Sequence, residues 1–334
     1  MHKATPIVPW GQVRNMWPKR SQVLNILAYH AVVPTEPPLR DWCFLELSRF
    51  AAQMEAIRAS GQPVLPLVEA VERLAEGRLE RPSVVITFDD GFLNNVEVAL
   101  PVLQHHGFPS TIFLTTGVTG TGRTLWPSRL VAALMATRAP RVSFGNETFA
   151  LGDDMSRGLA STRLQVLIKD LRPDDPQQAV ASIEEQLGVP LDAPVPRSSP
   201  FAMMGPEDIE AALGTGLVEF GAHTISHPLL SALDDKAVLR EVGGSIDDVE
   251  RLIGGPCRSF AYPNGRVQDY DARSLAVLAG RGIKAAVTTR EATNDRSADR
   301  LRLARWAIRT RHPLLPFRAI LAGLHPAQIR ARLG

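Results

Sequence analysis

The strongest constraint on this chain is a repeated alternation. Short, nearly unbroken apolar runs such as "LNILAY" (24–29), "SVVITF" (83–88) and "STIFLT" (110–115) are separated by stretches with helical spacing of apolar residues. Phe50, Met54 and Ile57 mark one such helix, opened by Ser48 and stopped by Gly61, and Val96, Leu100 and Leu103 mark another, stopped by Gly107. Unbroken apolar strands suit a sheet buried on both faces, and strand–helix alternation makes such a sheet parallel. The fold class read from this pattern is α/β.

The same pattern continues downstream. Between 63 and 77 the spacing predicts a strand followed by a short helix. "GPEDIEAALGTG" (205–216) predicts a helix with Pro206 in its first turn, "LVEFGAH" (217–223) a strand, and "DDKAVLREVGGSIDDVERLIGG" (234–255) a long helix stopped by Gly254. "RSFAYP" and "KAAVTT" predict strands on either side of the helix "ARSLAVLAGRG", and "RLRLARWAIRT" (300–310) predicts the last core strand. "AVVPTEPPLRDW" (31–42) reads as a Pro-rich loop. Residues 122–205 break the alternation and read as an insertion of helices and loops, residues 1–22 as a lead-in, 23–312 as the main domain, and 313–334 as a helical tail.

Composition excludes several classes. At 45% hydrophobic and 22% charged over 334 residues, the chain can bury a large core, and a formal net charge of +2 without a block of like charge implies no nucleic-acid partner. Cys43 and Cys257 form neither a disulfide framework nor a zinc motif. No apolar run reaches the ~20 residues of a membrane helix, and the first residues lack the apolar core of an export signal. The expectation is a cytoplasmic or membrane-peripheral protein.

Chemistry gathers at strand ends. In "VVITFDDGF" (84–92) an apolar strand stops at Asp89 and Asp90. Adjacent side chains there can diverge, one binding a cation while the other faces a reactant, although Asp-Gly is equally ordinary turn chemistry. "GAHTISHP" (221–228) places His223 and His227 four apart after another strand, on one face if the segment is helical. Two imidazoles and one carboxylate form a recurrent zinc set that leaves a position open for water. Histidines capping a strand end are the plainer alternative.

With those residues in view, the chain resembles the polysaccharide deacetylase family, the NodB-homology or carbohydrate esterase family 4 enzymes. "TFDDGF" resembles its first motif, "HTISHP" its second and "FAYPNG" (260–265) its third; "LAYHAV" and the stretch around "LRLARWAI" are similar to bacterial members. The resemblance implies a distorted, incomplete (β/α) barrel that hydrolyses an N-acetyl group from a carbohydrate and releases acetate. It implies Asp90, His223 and His227 as ligands of a divalent metal, zinc above all, with cobalt or manganese as alternatives. It implies Asp89 as general base and the backbone N–H of Asn264 as an oxyanion donor. The partner it implies is an N-acetylated glycan.

The chain departs from the family pattern twice. The third motif carries Ala261 where many members have the arginine that orients the base, and Arg305 is the substitute the sequence offers. The late Leu-x-His motif that supplies the general acid has no clean match; His312 and, more remotely, His325 are the downstream histidines. Tyr262 and Trp306 are candidates for stacking on a sugar ring, and His30 for lining the site. His105 and His106 end a helix, where they complement its dipole. Because of the two departures, a catalytically impaired glycan-binding or scaffolding barrel stands as the alternative, together with a hydrolase of another amide or ester.

Overall fold

Strand β1 (Leu24–Tyr29) is buried along its whole length, as the unbroken apolar run requires. The computed structural model describes residues 22–36, 39, 41–170, 176–190, 192–309 and 314–324. After β1 come β2 (Ala31–Val33), β3 (Phe44–Glu46), β4 (Ser83–Phe88), β5 (Ser110–Leu114), β6 (Arg141–Phe144), β7 (Glu147–Ala150), β8 (Val218–Ala222), β9 (Ser259–Ala261), β10 (Ala285–Val287) and β11 (Trp306–Ala307). Seven of them form one parallel sheet in the order β10-β9-β8-β5-β4-β1-β11.

The sheet curls into a half-barrel flanked by helices, and the chain after residue 300 bonds to both of its edges. Leu303 N–H donates to the Ala286 carbonyl at 2.9 Å and Thr288 N–H to the Leu303 carbonyl at 2.8 Å, on the β10 side. A few residues later Trp306 pairs with Leu27 of β1, and Ile308 N–H donates to the Ala28 carbonyl at 2.9 Å. The expected last strand over 300–310 is therefore only two residues long as a regular strand, because the segment has to cross from one edge to the other.

The helices fall largely where periodicity puts them. Leu47–Ser60 ends at Gly61 with φ 68°, and Leu100–His106 ends at Gly107 with φ 65°. Helix 100–106 is preceded by one widened turn, Asn95–Ala99, with Pro101, which has no N–H to donate, just beyond it. A second widened turn, Leu239–Gly243, interrupts the long helix between Asp235–Val238 and Gly244–Ile253.

Two readings are corrected. The loop expected over 31–42 begins with β2, which pairs in parallel with β3 as a two-stranded ribbon. The strand expected near 63 shrinks to one bridge, Val64 to Val84. The insertion holds helices Trp126–Ala136, Asp154–Asp170 and Pro176–Leu187, and also the antiparallel hairpin β6–β7, turned at Gly145 with φ 59°. It has its own apolar core, including Trp126, Leu130, Leu164, Ile168 and Ile183. Arg129 ties two of its helices together by donating to both carboxylate oxygens of buried Glu184, at 3.1 and 2.5 Å. The helix Leu314–Leu321 closes the described chain, its Leu321 carbonyl accepting from the buried Gln62 amide at 2.8 Å.

Candidate functional site

A cavity of about 370 Å³ opens at the carboxyl ends of the strands, the edge where parallel sheets collect their sites. Asp89 and Asp90 follow β4 directly and both are buried. They part because Asp90 takes a left-handed backbone, φ 77°. Six described non-glycine residues have positive φ; of these, Asp90, His227 and Asn264 line the cavity, and Thr224 lies between the two histidines. A β-branched threonine in that region is a genuine outlier, and each such residue costs on the order of 1 kcal/mol. Such strain, concentrated at one cavity, marks a shape that the fold holds against local preference.

Asp89 meets Arg305. The guanidinium is fully buried and donates to Asp89 Oδ1 and Oδ2, both at 2.7 Å. Two further bonds fix its plane, to Thr87 Oγ1 at 3.1 Å and the Thr288 carbonyl at 2.9 Å. Burial alone would raise the Asp89 pKa, but Arg305, helped by His223 and His30, outweighs it and holds the carboxyl well below the usual carboxylate range. The guanidinium missing at Ala261 thus reaches the same carboxylate from the segment that bridges the sheet edges.

Asp90 has the opposite environment. Its Oδ1 is buried without a hydrogen-bond donor, 3.5 Å from His223 Nε2 and 3.7 Å from His227 Nε2. Burial, and then the charge of Asp89, push its pKa up to about 8. An orphaned carboxylate oxygen facing two imidazole nitrogens is expensive without a cation between them. One ligand atom from each of Asp90, His223 and His227 lies within 4.8 Å of the other two, a spacing that a tetrahedral ion with ~2 Å bonds can bridge. The residues therefore fit a divalent metal.

The histidines are neutral, as metal ligands would have to be. His223 Nδ1 lies 2.7 Å from the Ala261 carbonyl, which assigns the proton to Nδ1 and leaves Nε2 free to coordinate. Burial lowers the pKa of His223 and lowers that of His227 well below the ordinary value, in the second case with His223 adding to the effect. The two rings meet edge to face at 4.9 Å. A helix does not bring them together: residues 223–229 form a tight turn in which His227 N–H donates to Thr224 Oγ1 at 3.0 Å. Buried Glu241, on the widened helical turn, holds that turn by accepting from Ile225 N–H at 3.0 Å and from Ser226 N–H and Oγ–H at 2.9 Å each. Gly117 packs against the same turn so closely that a Cβ would sit 2.5 Å from the Ile225 carbonyl oxygen.

Of the remaining sequence candidates, His30 lines the cavity, its Nε2 4.0 Å from Asp89 Oδ2. Burial, opposed by Asp89, lowers its pKa to about 4. Asn264 also lines the cavity, with φ 58°, and its N–H donates to no acceptor among the described residues. Tyr262 touches the cavity but is buried, its ring stacked on Tyr270 at 4.1 Å and its hydroxyl donated to the Leu301 carbonyl at 2.9 Å. The expectation that Trp306 stacks on substrate is corrected. Arg305 and Ala307 face the cavity, so strand alternation turns Trp306 into the core, where its indole N–H reaches Asn25 Oδ1 at 3.3 Å. His312 and His325 lie outside the described residues.

The sequence reading missed Glu241 and Trp42. Trp42 lines the cavity mouth with 42% of its surface exposed and rests edge-on against His30 at 5.0 Å. Its flanking Pro-rich context read only as loop. A second His/Glu group, Glu55 with His105 and His106, lies on the surface, where Arg58 already donates to Glu55 at 2.7 Å. No helix among the described residues is long and apolar enough to cross a membrane.

Comparison with known proteins points the same way. The profile of the polysaccharide deacetylase family matches residues 76–286. A Bacillus subtilis (strain 168) protein, YxkH, provisionally named a polysaccharide deacetylase, is 35% identical over 94 residues, 27% of this chain and 31% of that protein's length. The chain thus matches less than a third of that relative. Among solved structures, IcaB from Ammonifex degensii superposes with a TM-score of 0.59 at 18% identity, covering 90% of this chain and 96% of that one. The Streptococcus pyogenes deacetylase PplD, in complex with acetate, superposes with a TM-score of 0.57 at 18% identity, covering 93% and 98%. At these identities the superpositions show a shared fold.

Proposed function

Because the chain belongs to the polysaccharide deacetylase family, we propose that it is a metal-dependent hydrolase that removes N-acetyl groups from a carbohydrate and releases acetate. The observation that carries this reading is the division of two adjacent carboxylates: Asp89 is neutralised by a buried arginine, while Asp90 is left facing two histidine nitrogens. Asp90, His223 and His227 would hold the cation, for which zinc suits the donor set. When bound, such an ion lowers the pKa of water and polarises the acetamide carbonyl.

The chain's own residues supply the rest. Asp89 is held ionised, as a base must be, and Arg305 fixes its plane while leaving a lone pair on each oxygen open. It accepts the proton of the attacking water. His30 is neutral at rest, so it must receive a proton before it can give one, and Asp89 is 4.0 Å away, a gap that one water or a small side-chain adjustment closes. From Asp89 that proton passes to His30 and then to the leaving nitrogen. His30 is also the one histidine besides the two ligands that lines the cavity among the described residues. The Asn264 N–H is assigned to the developing oxyanion. Trp42 offers an exposed aromatic face for a sugar ring at the mouth.

The test combines metal analysis with acetate detection across a panel of N-acetylated glycans. Purified protein should carry or take up one divalent ion and release acetate from at least one glycan. Asp89→Asn should lose acetate release and keep the metal, whereas His223→Ala should lose both. A protein that takes up no divalent ion at micromolar concentration sinks the proposal.

A further inference from the structure

The charged side chains lining the cavity sort themselves by partner. Asp89 is held by Arg305 and Asp90 faces the two histidines. Asp41 accepts from Cys43 N–H at 2.9 Å and from the Gln165 amide at 3.3 Å, and Arg309 reaches Glu291 at 3.4 Å. Two cations are left over. Among the described residues, neither Lys169 nor Arg266 has a carboxylate within ion-pair distance.

Lys169 is the more telling. It is half-buried, and its ammonium lies over the buried Trp126 ring, 5.8 Å from the centroid. A cation–π contact returns only part of the hydration that an ammonium loses on burial. The insertion nevertheless holds it there, because Leu164 and Ile168 on the same helix are locked in the insertion's own core. Arg266 comes from the loop after β9, one residue beyond the third motif. Its N–H donates to Asp269 at 2.8 Å, which shapes the turn, while the residue is exposed and lines the cavity. Lys169 and Arg266, delivered to one cleft by separate parts of the chain, act on each other electrostatically, with Asp269 and Asp41 also acting on Lys169 from beyond ion-pair distance, and so make an anion clamp. A guanidinium fork and an ammonium point charge together suit a carboxylate or a phosphate.

We propose that the substrate is an anionic glycan, whose negative group lies beside the N-acetyl group under attack and is bound by Lys169 and Arg266. The inference rests on the deacetylase reading and adds the substrate class. The shared chemistry is an oxyanion within reach of the acetamide, either a uronate carboxylate on the neighbouring sugar or a diphosphate at the reducing end.

The test is calorimetry on the zinc-loaded Asp89→Asn protein, which separates binding from turnover. The ligands are neutral N-acetylchitotetraose, a tetrasaccharide alternating N-acetylglucosamine with glucuronate, and UDP-N-acetylglucosamine. At least one anionic ligand should bind about tenfold tighter than the neutral one, and which of the two does so identifies the source of the charge. Lys169→Met and the surface variant Arg266→Gln, each made in that background, should lower the anionic-to-neutral affinity ratio several-fold, and Lys169→Arg should restore most of it. Equal affinity for neutral and anionic ligands, a ratio that neither variant moves, or no binding of any of the three overturns the proposal. Failure of the deacetylase reading shows separately, as no acetate from any glycan with the zinc-loaded unsubstituted protein.

Discussion

Arg305→Met should cost this protein far more than an ordinary substitution, and the cost should vanish when Asp89 is also changed. The guanidinium is completely buried and makes four hydrogen bonds, two of them to Asp89. Removing one member of a buried ion pair strands the other charge and costs about 3 to 5 kcal/mol. In an Asp89→Asn background the arginine is itself the stranded charge, so replacing it there should cost little or even stabilise. A double-mutant cycle by urea unfolding, with metal chelated, should therefore give a coupling of at least about 2 kcal/mol. The sign of the pH dependence follows from the pKa shift. Arg305 holds Asp89 below its unfolded value of ~3.9, so the pair's contribution is present above that pH and is lost only as pH falls through the lower folded value. Without Arg305, burial raises the Asp89 pKa above ~3.9, so the variant's deficit should be largest at pH 7 and shrink as pH falls through that raised value. Equal costs for Arg305→Met in both backgrounds would refute the view that this pair acts as a unit.

Three further outcomes are expected. Glu241→Gln, which weakens the carboxylate holding Ile225 and Ser226, should lower zinc affinity roughly 10- to 100-fold in a competition titration while the fold survives; unchanged affinity would mean that the turn holds itself. With Asp90 raised to about 8 and both histidines already neutral, metal binding at pH 7 should release close to one proton, and apparent affinity should climb with pH until it levels above about 8. Calorimetry in buffers of different ionisation enthalpy reads that proton, and a release near zero would remove Asp90 as the group that titrates. Trp42→Ala should raise KM several-fold with little change in kcat, and a fall in kcat alone would place the ring at the chemistry instead of at substrate binding.

Legibility in the sequence followed the range of the forces involved. Strand β4, the glycine stops and the two carboxylates were readable because local pattern determines them: an apolar run, a residue with positive φ, a break at a sheet edge. The histidine pair was readable as a pair but not as a shape. Helical spacing puts His223 and His227 on one face, whereas the chain brings them together through two left-handed residues, Thr224 and His227, and a carboxylate at position 241. That carboxylate acts through tertiary contact, so no window around "HTISHP" contains the signal. Glu241 itself sits on a widened helical turn just before Gly243 and Gly244, and periodicity averages over such irregular turns.

The segment "LARWAI" makes the sharper point, because a local rule was enough to correct it. On any strand, neighbouring side chains point to opposite faces. Arg305 and Trp306 therefore could not both serve one cavity, and choosing the arginine already sent the tryptophan to the core. The choice could also be made on physical grounds. A carboxylate ending a buried strand needs a compensating charge more than a sugar needs one particular ring, and with Ala261 in the third motif Arg305 was the guanidinium the sequence offered for that work. Arg305 in turn explains why the last strand is so short. The chain has to leave the β10 edge at Leu303, drop a guanidinium under Asp89, and join β1 at Trp306 within three residues, so the crossing between the two sheet edges is also what delivers the charge that keeps Asp89 ionised.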